Sequence, residues 1–236
     1  MQAGMPTTSS WNGKVWVSVT PSGSSESWLT RVADRYAEAL IDSPAASYLL
    51  DRGIDEEVAV TFRLGYVSNP DPVHAAYDGM LCIPYWTPVG GCMGMKFRRI
   101  NDAPGPRYLA PMGQKSRLFN VVDLLTPSST IIVCEGELDT VTVSGICGLN
   151  AVGVAGVTHW RAHMARCLDG YEEVIVLTDN DEKDSGENPG QDLAKRIVDD
   201  IPDARNVLLP PGIDANKYVV THGRDALVEL LGLEVK

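Results

Sequence analysis

Two short acidic runs each follow a run of β-branched and aliphatic residues. The first, at 135–139, reads EGELD, and the second, at 179–181, reads DND. In an open parallel sheet the carboxyl ends of the strands form the ligand-binding edge, so we expect acids at two strand ends to converge. Carboxylates without His or Cys partners suit a hard cation, and the pattern predicts a Mg²⁺ or Mn²⁺ site. The alternative for each acid alone is a helix N-cap or a solvated loop.

A basic stretch lies upstream of these acids, at 91–117. Its six cations, set against the single acid Asp102, are Lys96, Arg98, Arg99, Arg107, Lys115 and Arg117. The whole chain has a net charge of −11, and residues 135–236 carry 19 of its 31 acidic side chains. Clustered cations are typical of a surface that meets phosphates, and the alternative is a solvated hairpin face.

The pattern of apolar residues predicts the elements that position these groups. Helical spacing begins at Glu26, Ser43 precedes a proline at a helix start, and a third helix begins at Asp55. Two strands at 80–86 and 91–99 form a hairpin that carries the start of the basic stretch. Beyond residue 127 strands alternate with helices, including helices at 138–146, 159–168 and 215–231, which predicts a mostly parallel sheet with helices on both faces.

The predicted fold class is therefore α/β, with three parts. Residues 1–25 are rich in Ser, Thr, Gly and Pro and are predicted to be a flexible tail. Residues 26–126 form a basic α+β subdomain, and residues 127–236 form the metal-binding sheet subdomain. Ordinary globular composition, with 44% hydrophobic and 22% charged residues, excludes wholesale disorder and a membrane bundle. The five cysteines lack zinc-ligand spacing, and a cytoplasmic location without membrane contact is expected.

The acidic runs resemble those of the TOPRIM domain found in topoisomerases, DnaG-type primases, RecR and OLD-type nucleases. That family holds divalent metal with a Glu and a D-x-D pair, and the stretch LPPGIDAN at 209–216 is similar to one that primases carry after the metal site. The resemblance implies Glu135, Asp179 and Asp181 as catalytic metal ligands. Asp139 is expected nearby, and Asp184 is a possible further ligand in a loop that is longer and more acidic than the primase pattern.

The upstream half resembles the opening of the DnaG-type primase core. YLLDRGI at 48–54, FRLGY at 62–66 and the hairpin with Gly91, Gly94 and Arg98 follow the family order. The resemblance implies nucleotide or DNA contacts for Lys96, Arg98, Arg107, Tyr108, Lys115, Arg117 and Asn120. Three residues depart from the family pattern in this stretch: Arg107 stands where the family has lysine, Ala110 where it has asparagine, and Asn120 where it has glycine.

The resemblance implies a phage-like primase catalytic core that synthesises short RNA primers on single-stranded DNA from NTPs. Because zinc-ligand spacing is missing, a separate zinc-binding template reader and a replicative helicase are the expected partners. Two other functions are open: a TOPRIM-type metal-dependent nuclease with the same acids, and a non-catalytic DNA-binding clamp like RecR.

Overall fold

The computed structural model describes residues 8–11, 14–17 and 27–235 of the chain. The predicted flexible tail at 1–25 lies outside the described residues, apart from a hairpin of strands β1 (Thr8–Trp11) and β2 (Lys14–Val17). Residues 27–235 form two four-stranded sheets with the helices that cover them.

Three capped helices open the first half. They are α1 (Trp28–Glu38), α2 (Pro44–Leu50) and α3 (Glu56–Thr61). Ser43 accepts a hydrogen bond from the Ala46 N–H at 3.2 Å and Asp55 from the Val58 N–H at 2.8 Å, which confirms both predicted helix starts. Each cap satisfies a donor that the first turn of a helix leaves without a partner.

An antiparallel sheet follows, in the order β3-β4-β5-β6. Its strands are β3 (Gly65–Tyr66), β4 (Leu81–Trp86), β5 (Cys92–Arg98) and β6 (Tyr108–Leu109). Alternate residues bury opposite faces, so that Cys82, Met95 and Phe97 pack with α1 while Leu81 and Ile83 pack with α2 and α3. The predicted hairpin of β4 and β5 is confirmed.

The second half contains a parallel sheet in the order β10-β9-β7-β8. Its strands are β7 (Thr130–Cys134), β8 (Ala151–Gly153), β9 (Glu173–Thr178) and β10 (Ala204–Leu208). The accompanying helices are α4 (Glu137–Val141), α5 (Pro189–Asp200), α6 (Ala215–His222) and α7 (Arg224–Leu230).

Helices cover both faces of the parallel sheet. Ile131 and Val133 of β7 pack in one cluster with Leu193 of α5, whereas Ile132 packs on the other face with Leu227 of α7. The alternation along one strand is the reason that each face is apolar. The predicted α/β class, with its sheet flanked by helices, is confirmed.

Three predicted helices have different forms in the structure. The segment predicted at 138–146 leaves α-helical geometry after Val141 and continues as a π-helical turn, Thr142–Ile146. Gly145 there packs so closely on α3 that a Cβ would lie 2.5 Å from Val58 Cγ1. The segment at 159–168 contains a 3₁₀ helix, Ala162–Leu168, and the segment at 215–231 divides into α6 and α7 at Gly223, whose φ is +90°.

The two halves share contacts as well as a chain connection. Phe119 and Gly153 exchange backbone hydrogen bonds at 2.8 and 3.1 Å, which joins the incoming segment to β8. Phe119 and Leu138 also belong to the cluster that buries one face of the antiparallel sheet. The subdomain boundary at 126/127 stays a prediction. Within the described part of the chain, no helix combines the length and apolar character that crossing a bilayer requires.

The buried His74 makes the stability of the first half pH-dependent. His74 Nδ1 lies 3.2 Å from Tyr36 Oη, and burial lowers the pKa of this imidazole. The unfolded chain takes up the proton near pH 6.5, so the stability due to neutral His74 is lost as pH falls below that value. At pH 7.5 we expect His74→Gln to melt about 3–10 °C below the wild type, and the gap to narrow at pH 5.5.

Thermal melts of both proteins at the two pH values measure this gap, with the exposed His163→Gln as the control. A gap of constant size, or the same narrowing in the control, would contradict the prediction.

Candidate active site

Glu135 and Asp179 follow adjacent strands and are held close together. Glu135 follows β7 and Asp179 follows β9, and the Asp179 N–H donates to Glu135 Oε2 at 3.1 Å. Gly190, in the first turn of α5, allows this approach, because a Cβ there would lie 2.2 Å from Asp179 O and 2.8 Å from Glu135 Oε2. The structure therefore brings together two acids that the sequence placed at strand ends.

Asp139 and Asp214 complete the acidic cluster. Asp139 lies on α4 and accepts a hydrogen bond from the Asn216 N–H at 3.2 Å, while Asp214 caps α6 through the Lys217 N–H at 2.6 Å. Burial and the charge of Asp214, with that of Asp179, raise the pKa of Asp139 to about 7. Burial and the charges of Glu135, Asp214 and Asp181 raise the pKa of Asp179 to about 7.

Asp181 and Asp184 lie further out than these acids. Asp181 is exposed and accepts a hydrogen bond from the Gly212 N–H at 2.9 Å, and its charge contributes to the raised pKa of Glu135, after burial and the charge of Asp139. Asp184 lies on the exposed loop 182–187, across which Lys183 and Glu187 form an ion pair at 3.4 Å. The structure brings Asp181 to the margin of the cluster and leaves Asp184 on the loop.

The donor set of the cluster fits a hard divalent cation. Among the described residues, no three or more His, Cys, Asp or Glu side chains are already arranged to hold a metal ion. Mg²⁺ does not need such a cage, because it binds through one or two carboxylates and keeps water and substrate phosphates as its other ligands. The raised pKa values of Asp139 and Asp179 show a concentration of negative charge that a cation would relieve.

Lys96 and Arg98 lie on the face of β5 that is turned toward the parallel sheet. They stand opposite Ile83 and Leu81 of β4, whose side chains are buried on that face. Arg98 is 8% exposed and donates to the hydroxyl groups of Tyr48 and Tyr108. These two cations are thus held where the two sheets face each other, a region called the cleft below.

Tyr108 connects the hairpin to the acidic cluster. Lys96 Nζ lies 4.5 Å from the centroid of the Tyr108 ring, and the Arg98 guanidinium lies 4.7 Å from it. Burial raises the pKa of the Tyr108 hydroxyl, the charge of Arg98 opposes this shift, and the charges of Glu137 and Asp139 act in the same direction as burial. The hairpin and the acids therefore face one cleft.

The other predicted contacts lie on the segment 107–120. Arg107 and Lys115 are exposed, and Arg117 donates to Met93 O at 3.4 Å while remaining partly accessible. Asn120 has a φ of +57°, and its side-chain amide donates to Ala151 O at 2.9 Å. Asparagine tolerates this left-handed conformation, so it can replace the glycine that the DnaG-type primase pattern has at this position.

Sequence reasoning missed four residues that shape the cleft: Tyr48, Glu137, Asp214 and Asn216. Glu137 is 1% exposed and lies in an ion pair with Lys96 at 2.8 Å. Asp214 follows the loop after β10, so the strand-end rule that selected Glu135 and Asp179 would also have led to it. Asn216 is 2% exposed and donates to Arg52 O and Thr142 Oγ1, both at 2.8 Å. No local sequence pattern predicts these long-range contacts.

A parallel sheet with carboxylates at this edge is the arrangement expected of a TOPRIM domain, and residues 130–225 match the family model described as Toprim domain. Gene 57 protein of Mycobacterium phage D29 is 37% identical over 157 residues, which cover 65% of this chain and 98% of that protein. The DNA primase of Aquifex aeolicus (strain VF5) is 24% identical over an alignment of 240 residues, covering 86% of this chain and 48% of the primase. The chain thus spans about half of that primase.

Solved structures share the fold across both halves. The RNA polymerase domain of Mycobacterium tuberculosis primase DnaG superposes with a TM-score of 0.70 at 22% identity, covering 88% of this chain and 84% of that one. A DnaG primase catalytic domain bound to ssDNA has a TM-score of 0.69 at 20% identity, with 86% and 80% covered. The chain therefore belongs to the family of Gene 57 protein, contains a TOPRIM domain, and shares the fold of DnaG-type primase catalytic cores.

Repulsion within the cluster predicts that losing one carboxylate stabilises the fold. The pKa of Asp179 in the folded chain, about 7, lies above its ordinary value of 3.8, so its contribution to stability is present at low pH and is lost as pH rises through 7. We expect Asp179→Asn to raise the Tm by several degrees at pH 8 and by much less at pH 5. Thermal melts at both pH values in EDTA measure the shift.

The exposed Asp199→Asn on α5 removes the same charge away from the cluster and is the control. A lower Tm for Asp179→Asn at pH 8 would show that the carboxylate supports the fold instead of straining it.

Proposed function

We propose that this protein is the catalytic core of a primase, which joins NTPs into short RNA primers on single-stranded DNA in a metal-dependent reaction. The observation that carries the proposal is the acidic cluster at the end of β7 and β9, facing a cleft whose other wall is the cationic hairpin. Nucleotidyl transfer requires both, because negative charge develops on phosphate oxygens while the attacking and leaving oxygens must be kept in line.

The proposed ligands of Mg²⁺ or Mn²⁺ are Glu135, Asp139, Asp179 and Asp181. Asp214 is added to this set because its charge acts on both Asp139 and Asp179. Asp184 is left out of the set, since its loop keeps it at the surface. A bound divalent ion would stabilise charge on the reacting phosphate and orient the attacking hydroxyl. The acids themselves remain deprotonated ligands once a cation offsets their mutual repulsion.

The cations divide into two roles. Arg107, Lys115 and Arg117 are accessible and are proposed to contact the template or the triphosphate, and the likeness to a catalytic domain bound to ssDNA supports this assignment. Arg98 is fixed by two tyrosine hydroxyl groups and offers a pre-positioned guanidinium on the cleft wall. Such fixed charges need no reorganisation when substrate binds.

Template capture is proposed to depend on a partner. Four of the five cysteines, Cys82, Cys92, Cys134 and Cys147, are buried in the hydrophobic clusters and are not available as zinc ligands. A separate zinc-binding template reader and a replicative helicase are therefore the proposed partners. Such a reader would act by raising the effective concentration of template at the cleft.

Nucleotide incorporation is the direct test of the proposal. The full chain with Mn²⁺, NTPs and a pre-annealed RNA primer on single-stranded DNA should extend the primer, and Asp179→Asn should lower the rate by at least about 10³-fold. Labelled primer resolved by length measures both extension and shortening. Cleavage that needs no NTPs would instead assign the chain to the nucleases, and DNA binding without either reaction would assign it to the clamps.

The accessible cations predict the salt dependence of DNA binding. Each phosphate contact adds about 0.7 to the slope of log K against log salt for a single strand. We expect Lys115→Met and Arg107→Met each to lower the slope by about that amount, and Lys195→Met, on the exposed face of α5, to leave it unchanged. Titrations of fluorescent oligonucleotide at four salt concentrations measure the slope, and equal slopes for all four proteins would place the interface elsewhere.

A further inference from the structure

Lys96 and Glu137 form an ion pair inside the cleft between the two sheets. Lys96 Nζ lies 2.8 Å from Glu137 Oε1 and 3.0 Å from Oε2, and it also donates to Ala155 O at 2.9 Å. The side chains are 13% and 1% exposed. The Tyr85 hydroxyl donates to the same carboxylate, so the pair is almost fully provided with hydrogen-bond partners.

The pair connects the cationic hairpin with the segment that carries the acids. Lys96 belongs to β5, Glu137 is the first residue of α4, and Ala155 lies two residues beyond β8. Lys96 therefore reaches both the helix that bears Asp139 and the loop after the neighbouring strand. The ammonium group of Lys96 donates three hydrogen bonds to protein oxygens, so it has no further N–H to offer a phosphate.

The position of Glu137 on α4 determines what the pair can control. Residues 137 and 139 are two apart on a helix and point about 200° away from each other, since each residue turns the helix by about 100°. Glu137 faces the hairpin, so Asp139 faces the metal cluster. Glu135 lies two residues before Glu137, so the ion pair anchors the short segment that carries both Glu135 and Asp139.

We propose that Lys96 and Glu137 are positioning residues, which orient Glu135 and Asp139 toward the proposed metal site and are not themselves ligands of metal or phosphate. The inference rests on the proposed function and deepens it. It also assigns Lys96, one of the cations expected to contact phosphate, to a different task.

Mn²⁺ affinity separates positioning from simple electrostatics. Lys96→Met removes a positive charge and Glu137→Gln a negative one, so through-space electrostatics alone would strengthen Mn²⁺ binding in the first variant and weaken it in the second. Positioning predicts that both variants weaken binding, by about tenfold. The double variant changes no net charge, so electrostatics predicts nearly unchanged affinity, whereas positioning predicts that the loss remains.

Two further readouts exclude the other roles of Lys96. A merely structural pair would lower the Tm without changing the Mn²⁺ affinity of the folded protein. We expect a Tm loss on the order of 10 °C for Lys96→Met, which leaves Glu137 buried and unpaired, and a smaller loss for the double variant. A phosphate contact would lower the salt slope of DNA binding as Lys115→Met does, whereas positioning leaves the slope unchanged.

The control is a second, more exposed ion pair, between β9 and β10. Arg205 Nε and Glu173 Oε1 are 2.8 Å apart, and Glu173 begins β9. Arg205→Met with Glu173→Gln should leave the Mn²⁺ affinity unchanged.

The experiment titrates Mn²⁺ into the full chain and measures the binding by calorimetry, at a temperature below the Tm of every variant. Thermal melts and the salt dependence of DNA binding are measured on the same proteins. Weakened binding in all three cleft variants with an unchanged salt slope supports the inference. Opposite effects of the two single variants, unchanged affinity, or no Mn²⁺ binding by the wild type overturns it. Mn²⁺ binding is measured without NTPs. If the protein binds Mn²⁺ with the expected variant effects but incorporates no nucleotide, the primase function is overturned and the positioning role is not.

Discussion

The burial of carboxylates that also repel one another is the constraint on which the rest of the structure depends. Glu135, Asp139, Asp179 and Asp214 come from three separate segments, and their approach is unfavourable without a cation. The fold compensates with backbone groups: the Asp179 N–H donates to Glu135, the Asn216 N–H donates to Asp139, and Gly190 lets the backbone approach closely. Burial of the apolar faces of the sheet and its helices offsets the unfavourable free energy of this arrangement.

The antiparallel half provides the second wall of the cleft and depends on a different principle. Its inward cations are immobilised by aromatic and carboxylate partners, as when Arg98 is held between Tyr48 and Tyr108. A cation fixed in this way has little rotamer entropy left to lose when substrate binds. The outer cations, such as Arg107 and Lys115, remain solvated and add long-range attraction for phosphate. The cleft thus combines a rigid inner layer with an adaptable outer one.

The sequence predicted those features that depend on local pattern. The strand–helix alternation, the caps at Ser43 and Asp55, and the acids at the ends of β7 and β9 all follow from periodicity and residue type. The π-helical turn after Val141 was not predictable, because it arises where Gly145 meets α3 from a distant part of the chain. The partner of Lys96 was also hidden, since residue type shows a cation but not the buried carboxylate 41 residues away that it contacts. Long-range packing decides between a phosphate contact and an internal pair.

The bridge between Phe119 and Gly153 has a consequence for the behaviour of the molecule in solution. Strand β8 is the outermost strand on its side of the parallel sheet, and such a strand presents unpaired backbone groups to any extended segment of another chain. The two hydrogen bonds exchanged with Phe119 occupy those groups at Gly153, and a Cβ at Gly153 would lie 3.4 Å from Phe119 Cβ. The crossing segment between the halves therefore also blocks the end of this edge strand against pairing with another chain.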